Sequence, residues 1–568
     1  MLARRIPEPA RRVKKFISAS FKVETSLHDA LREIVAVRSV LEDPYSNEAL
    51  ELIRQWLQTC IDTHKNCSRI ASRVTRLPLR LIDVGPEDGS QTPFLYTVNE
   101  SQSYDDGRGP EMKYVALSYC WGTGEELARN PPLTTTSSNI EAHKRGIVMS
   151  HLPQAIRDVI FLTRRLGIRY LWVDSLCIIQ GNDLTARADW ERESSMMAEV
   201  YGGATLTIAA ASGRSVHDPL FPPRRQHARE PLAIGLESED KKLKGTIFLH
   251  KSSQDFVDSV DEPLYHRGWV LQERVLSPRV LICNRDQLAW ECNCQSLTES
   301  GHRMESIGAM RLDAEILREA KSLQGVLYDT WQCLITEYSA RSLSVTMDKL
   351  PAIAGLAKKF HEHHGDTYLA GCWKQSILDD LLWAHAKIRH GPSHPRTKPT
   401  HYRAPSWSWA SVDGNVRWPL APKNREAQYC AELVDHNIET KPDNPFGLVS
   451  GGWITIRGPL AKAEPKDFPK WAMNGLTDAN FDAGSELADW QEKKRLSDYC
   501  HMAAEYVCAH EIFILMLARR GGLILALHQD QSVTLGGAEK VYQRIGMTRS
   551  DFAIETDQRF TVQTCRIV

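Results

Sequence analysis

The chain has 568 residues, longer than one ordinary domain, so roughly three or four compact units are expected. Its formal net charge of -1 and 25% charged content leave no global field to draw in nucleic acid or an anionic membrane surface. No stretch reaches the apolar length that spans a bilayer, and the 13 cysteines are scattered, several within apolar runs (Cys177, Cys283, Cys508), which suits reduced thiols in a cytoplasmic protein.

The first residues, MLARRIPEPARRVKKFISASFKVETS, are rich in Arg and Lys. Pro7, Glu8 and Pro9 interrupt any continuous amphipathic targeting helix, so a solvated basic tail is expected, with mitochondrial import the alternative. A helix is expected over Asn47 to Arg73, with Leu52, Trp56, Cys60, His64 and Cys67 on one face. Cys60, His64 and Cys67 have the character of zinc ligands, but no fourth ligand stands at a convincing spacing, and a single helix cannot easily wrap three ligands around a tetrahedral ion. Packing against the core is expected there, and no metal.

Leu77 to Gly85 reads as a strand, followed by a polar loop up to Pro110. Tyr114 to Gly122, YVALSYCWG, is a compact β run in which Trp121 offers a flat surface and Gly122 frees the backbone. Cys120 is not favoured as a nucleophile, because nothing local would lower its thiol pKa. Pro153 to Leu166 is an amphipathic helix with Ile156, Val159, Ile160, Thr163 and Leu166 inward and Gly167 as its stop. Tyr170 to Val173 is a short apolar strand ending at a carboxylate, Asp174.

A second helix is expected to follow Asp189 as N-cap, placing Trp190, Met196, Met197, Val200 and Tyr201 on one stripe. Glu193 falls at the centre of that stripe, whereas Glu191, Arg192, Ser195 and Glu199 point the other way. A carboxylate on an apolar face is costly unless it is paired or protonated. Pairing in a closed core and a functional carboxylate lining a cleft both fit the pattern. The alternation of strand and helix from Tyr114 to Ala211 predicts a parallel α/β sheet, with its ligand crevice near Ser118 to Gly122 and Asp174 to Cys177.

Arg279 to Cys283 and Gln287 to Cys292 form a predicted hairpin across an Asn-Arg-Asp turn. Before it, Arg267, Trp269, Gln272 and Glu273 cluster around a glycine; they could clamp a phosphate or ribose, and composition alone favours an internal salt-bridge hub. Ile307 to Ala386 is mostly helical by period, Lys387 to Pro405 a basic linker, and Ala404 to Gly414, APSWSWASVDG, a strand with alternating Trp407 and Trp409. Beyond it, β runs are expected at Trp453 to Arg457, Ile512 to Leu517, Leu523 to Leu527 and Phe560 to Val568, with Lys466 to Lys494 a polar surface insertion.

YVALSYCWG, then LPQAIRDVIFLTRRLGIRYLWVDSLCIIQ with DWERESSMMAEVYGGATLTIAAAS, then RGWVLQERVLSPRVLICNRDQLAWEC, resemble in order the signature blocks of the fungal heterokaryon-incompatibility (HET) domain. LPLRLIDVG, KLPAIAGLAKKF and APSWSWASVDG are similar to the flanks of large HET-domain proteins. The resemblance implies fungal nonself recognition ending in programmed cell death. It also implies a distant kinship with TIR domains, flavodoxin-like α/β modules that in some branches hydrolyse NAD at the nicotinamide bond. The expected fold is therefore α/β: a TIR/flavodoxin-like parallel-sheet HET core over 76–300, a basic tail and N-terminal helices over 1–75, a helical region over 301–400 and a β-rich C-terminal region over 401–568.

Trp190-x-x-Glu193 is similar to the helix on which catalytic TIR domains carry a glutamate. By that resemblance Glu193 would stabilise oxocarbenium-like charge as NAD loses nicotinamide, and Asp174 and Ser175 would position the sugar or an attacking water. Trp121 or Trp190 would stack on a ring and Arg267 would meet the pyrophosphate, with Ser118, Gly122, Trp269, Gln272 and Glu273 completing the surroundings. NAD is a substrate in this reading, with no bound cofactor, and no Gly-x-Gly-x-x-Gly fingerprint supports a hydride-transferring enzyme. The alternative is a non-catalytic signalling or assembly module that acts through protein partners or self-association. Nucleic-acid binding is disfavoured, since the basic runs at Arg4 to Lys15 and Lys387 to Arg403 are short and lack aromatics placed for base stacking.

Overall fold

The structure, a computed structural model, describes residues 21–25, 30–33, 40–67, 76–98, 112–224, 232–237, 244–251, 262–301, 324–385, 399–418, 429–442, 444–463, 479–481, 511–518, 521–527, 540–548 and 558–568. The basic stretch up to residue 20, the polar loop over 99–111, most of the linker after His385, and the Lys466 to Lys494 insertion apart from Ala479–Phe481 lie outside the described residues.

An eight-stranded sheet forms the first half of the protein, in the spatial order Ser296–Thr298, Leu288–Cys292, Arg279–Cys283, Leu206–Ala209, Tyr114–Ser118, Tyr170–Trp172, Arg80–Asp83, Phe94–Thr97. Its four middle strands, from Arg279–Cys283 to Tyr170–Trp172, run parallel. The parallel sheet expected from sequence is thus only the centre of a mixed one, because Arg80–Asp83 and Leu288–Cys292 add antiparallel on either side. The strands 114–118, 206–209 and 279–283 are buried at every position, as a sheet covered on both faces requires.

The Gln154–Arg165 helix packs Ile156, Val159, Ile160 and Thr163 inward and ends before Gly167, whose φ of 70° gives the left-handed stop. The next helix departs from expectation. It spans Leu184–Ser195, is capped by Asp183, whose side chain accepts from the Ala186 amide, and breaks at Met196 before resuming over Met197–Gly203. Asp189 is therefore not the N-cap but a buried mid-helix residue. The inward face of Leu184–Ser195 is Ala186, Asp189 and Glu193, so it turns two carboxylates toward the core; Trp190 is 37% exposed, and the apolar stripe belongs to Met197, Val200 and Tyr201.

The N-terminal helix also differs. It spans Asn47–Thr63, with Ser46 capping the Ala49 amide, and His64 leaves helical geometry (φ -93°, ψ 85°) before residues 65–67 turn helical again. The chain is therefore not one continuous helix through Cys67, and it can turn Cys60, His64 and Cys67 toward a common point. The hairpin supplies the missing fourth group there: the donor atoms of Cys60, His64, Cys67 and Cys292 all lie within 4.8 Å of one another. Sequence spacing offered no fourth candidate ligand, and the fold brings one in from the hairpin.

The first apolar core joins the Asn47–Thr63 helix to the eight-stranded sheet. A second core joins the helices Gln324–Ser339 and Ala354–His364 to the C-terminal strands, with Trp331, Trp373, Trp383, Trp407 and Trp409 fully buried in it. Those strands build a mainly antiparallel sheet from Glu432–Lys441, Asn444–Lys462, Ile512–Ala518, Gly521–Leu527, Val541–Thr548, Thr561–Ile567 and Ala479–Phe481. Trp407 and Trp409 do not lie on the expected strand. They sit on turns around the short 3-10 helix Trp409–Ser411, where the Trp383 indole donates to the Trp407 carbonyl (2.9 Å) and the Trp409 indole to the Gly371 carbonyl (2.9 Å). Among the described residues no helix is long and apolar enough to cross a membrane.

Asp380 is buried within the second core and accepts hydrogen bonds from Gln332 Nε2 (2.9 Å), the Trp373 amide (2.9 Å) and Ser376 Oγ (2.8 Å). Burial is the main cause pushing its carboxyl up to about 7 from the ordinary 3.8. A carboxyl with a raised folded pKa contributes fully below its unfolded value and loses that contribution as pH rises through the folded value. Denaturant unfolding is therefore expected to show D380N gaining stability relative to wild type as pH rises from about 3.8 to about 7. A difference that stays constant across that interval contradicts this assignment.

Candidate functional site

The parallel strands deliver their polar groups to one edge. Ser118 closes its strand opposite Ala209, and the backbone then turns through Gly122 at φ +121°, where a Cβ would come within 3.2 Å of Glu126 Oε2 and Ser215 Oγ. Asp174 begins the short helix Asp174–Cys177 beyond the adjacent strand. Its carboxylate accepts from the Tyr119 hydroxyl (2.7 Å), Trp121 Nε1 (2.8 Å) and the Ser175 amide (2.7 Å). The Tyr119 and Trp121 rings lie nearly parallel, with centroids 6.4 Å apart. Ser175 is fully buried, and its hydroxyl lies beside that of Tyr119.

Arg267 is the N-cap residue of the Gly268–Leu276 helix and reaches across to donate to the Tyr119 carbonyl. Glu273, further along the same helix, accepts from Ser118 Oγ. Burial raises the Glu273 carboxyl above the ordinary range against the opposing pull of Arg267. Burial works against the Arg267 charge as well, but Glu273, Cys120 and Asp174 outweigh it and the guanidinium pKa is raised. Asp174, Arg267 and Glu273 are each half-buried, so the group lies at the rim of the core rather than sealed within it. Burial pushes the Cys120 thiol up to about 11, which leaves it protonated at neutral pH and agrees with its rejection as a nucleophile.

Glu193 belongs to a different network. Arg80, on the Arg80–Asp83 strand, donates to the Cys177 carbonyl (2.6 Å) and pairs with Asp189, which also accepts from the Ile179 amide (2.8 Å) and pairs with Arg192. Glu193 is 3% exposed and lies 3.5 Å from Arg192 Nε. Burial raises its carboxyl despite the attraction of Arg80. No hydrogen bond or ion pair joins it to Asp174 among the described residues. Three further expected residues point elsewhere. Trp190 meets the edge of Trp269 (centroids 6.1 Å), Trp269 Nε1 donates to Asp348 (3.2 Å), and Gln272 accepts from the Gly355 amide (2.8 Å), tying the helix to the second core.

Of the residues singled out in sequence, Ser118, Trp121, Gly122, Asp174, Ser175, Arg267 and Glu273 gather at the strand ends. Among the described residues no side-chain hydrogen bond or ion pair joins Glu193, Trp190, Trp269 or Gln272 to that group. Sequence reasoning missed Tyr119, the donor that links Asp174 to Arg267, although it stands next to Ser118 in the same β run. It also missed Arg80 and Asp189. A lone arginine inside the apolar run LPLRLIDVG was the available signal, because a buried guanidinium requires a buried anion.

Residues 114–273 match the family model described as heterokaryon incompatibility protein (HET). This segment is a HET domain. The match opens on the Tyr114–Ser118 strand and closes on Glu273, so it contains every member of the strand-end group. No curated protein and no solved structure matches the chain.

The Arg80–Asp189 pair, which ties the Arg80–Asp83 strand to the matched segment, is expected to be structural. Removing one partner of a buried pair costs about 3–5 kcal/mol, whereas replacing both by apolar residues restores much of it. R80L is thus expected to lose about that amount in denaturant unfolding and R80L/D189L to recover much of it. Equal stability of R80L and wild type contradicts the assignment.

Proposed function

We propose that this protein is a HET-type effector of nonself recognition whose strand-end group binds NAD and cleaves it at the nicotinamide bond, with programmed cell death as the outcome. One observation carries the reading. Numbered along the chain, the four parallel strands stand in the spatial order 2-1-3-4, so the connections leave Tyr114–Ser118 in opposite directions and open a crevice beside its carboxyl end. This order also supports the flavodoxin-like and TIR-like likeness of the domain. Ser118, Asp174, Arg267 and Glu273 stand at that point.

In the reaction, the bond between the ribose C1′ and the nicotinamide nitrogen breaks and its electron pair leaves on the nicotinamide ring. A water oxygen then bonds to C1′ and releases a proton, giving ADP-ribose. Trp121 offers an aromatic face, Arg267 a cation for the pyrophosphate, and Asp174 with Ser175 the groups that position sugar and water. Glu193, which lies in the separate Arg80–Asp189–Arg192 network, would supply negative charge that stabilises the oxocarbenium-like transition state, as the TIR resemblance implies.

A second reading is favoured by a different observation. Asp174 already accepts three hydrogen bonds, Arg267 is spent on a backbone carbonyl, and Glu273 is held by Ser118. A group so fully satisfied also suits a rigid hub in a non-catalytic module that signals through protein partners or self-association.

Nicotinamide release from NAD by the full chain, at high protein concentration with a crowding agent, separates the two readings. The proposal predicts release that falls at least about 100-fold in D174N and in E193Q, each checked for native circular dichroism. Release that survives both substitutions removes these carboxylates from the mechanism. No release by wild type under any assembly condition favours the signalling module.

A further inference from the structure

Outside the matched HET segment, four metal-binding side chains converge from distant parts of the chain. Cys60 lies in the last turn of the Asn47–Thr63 helix, His64 is its C-cap, Cys67 follows in the next helical turn, and Cys292 ends the Leu288–Cys292 strand of the hairpin. Their Sγ and imidazole nitrogen atoms all lie within 4.8 Å of one another, with His64 Nδ1 3.3 Å from Cys292 Sγ. Zinc–sulfur bonds of about 2.3 Å in a tetrahedron put ligand atoms about 3.8 Å apart, so shifts of about 1 Å or less would close the set on an ion. Cys60, Cys67 and Cys292 are buried, which removes competing water, and His64 sits at the half-buried rim.

The surroundings carry an independent mark of negative charge. Arg279 pairs in register with Cys292 across the hairpin and donates from Nε to Cys60 Sγ at 3.3 Å. It is 3% exposed, it also donates to the Thr205 carbonyl (3.3 Å), and among the described residues no carboxylate pairs with it. A guanidinium buried in this way requires an anion nearby, and thiolates bound to a metal supply one. Three thiolates and a neutral imidazole around a divalent ion leave one net negative charge, which Arg279 offsets. The donor set of soft sulfurs with one imidazole suits Zn2+, and four protein ligands leave no open position for catalysis.

We propose that Cys60, His64, Cys67 and Cys292 bind one structural Zn2+ that fastens the N-terminal helix to the outer strands of the HET sheet. The ion would hold the hairpin whose first strand follows directly on the Gly268–Leu276 helix, and so would brace the helix that carries Arg267 and Glu273. Cys294 stands close by, with its Sγ 3.8 Å from that of Cys67, but it is exposed and outside the four-ligand set.

The test is the metal content of the full chain purified under reducing conditions without chelator, measured by inductively coupled plasma mass spectrometry, together with the absorption spectrum after exchange into Co2+. The proposal predicts about one zinc per chain and a Co2+ spectrum with thiolate charge-transfer and intense tetrahedral ligand-field bands. It further predicts a lower melting temperature on chelation, at least a tenfold loss of zinc in C292S, and retention in C294S. Should C292S fail to fold, the wild-type metal content and Co2+ spectrum decide alone. Zinc-free wild type without those Co2+ bands, a disulfide among Cys60, Cys67 and Cys292 seen by mass spectrometry of the unreduced protein, or loss of zinc in C294S with retention in C292S overturns the assignment.

Discussion

Helix Gly268–Leu276 lies where the two apolar cores meet, and most of its residues are buried, with Trp269 and Glu273 half-buried. Leu271, Val275 and Leu276 belong to the second core, while Val270 packs with Ala209, Val280 and Ile282 beneath the sheet. Buried polar side chains on such a helix need partners inside the protein, and its half-buried ones have them too. Arg267 takes the Tyr119 carbonyl, Trp269 takes Asp348, Gln272 takes the Gly355 amide, and Glu273 takes Ser118. Arg274 pairs with Glu291 on the hairpin and lies 4.5 Å above the Tyr265 ring. Requiring all of these at once fixes the helix against the strand ends and against the second core.

The same constraint divides the polar residues by task. Trp269 and Gln272 look toward the second core and act in docking, whereas Arg267 and Glu273 look toward the edge where the parallel strands end. A shift of this helix would therefore disturb the contact between the cores and the strand-end group together. Gly355 shows how close the contact is: a Cβ there would stand 2.5 Å from that of Ala198, so the helices at this junction approach without room for one methyl group. The fold thus couples the C-terminal half of the chain to the strand-end group through packing.

Much of the HET fold was legible because its elements follow simple periods. The Gln154–Arg165 helix, the strands at Tyr114 and Tyr170 and the hairpin around Asn284 all stand where patterning and turn chemistry put them. The errors have local causes. Asp183 and Asp189 are equally good capping residues, and the apolar run after Asp189 favoured the wrong one, while the buried face of that helix is polar and invisible to hydrophobic periodicity. Trp407 and Trp409 alternate like a strand but are buried by turns. Convergence over long separations was not legible at all. No spacing rule joins His64 to Cys292, which are 228 positions apart, or Arg80 to Asp189, because such pairs are made by the sheet order.

The central claim is that ligand recognition lies at the carboxyl ends of the parallel strands, among Ser118, Asp174 and Arg267. Amide hydrogen exchange of the full chain with and without NAD tests it most directly, since bound ligand shields the backbone it touches and slows local opening. The account predicts added protection in the segments around Ser118 to Gly122, Asp174 to Cys177 and Arg267 to Glu273. Unchanged exchange in all of them at saturating NAD, or protection confined to the C-terminal strands, contradicts it.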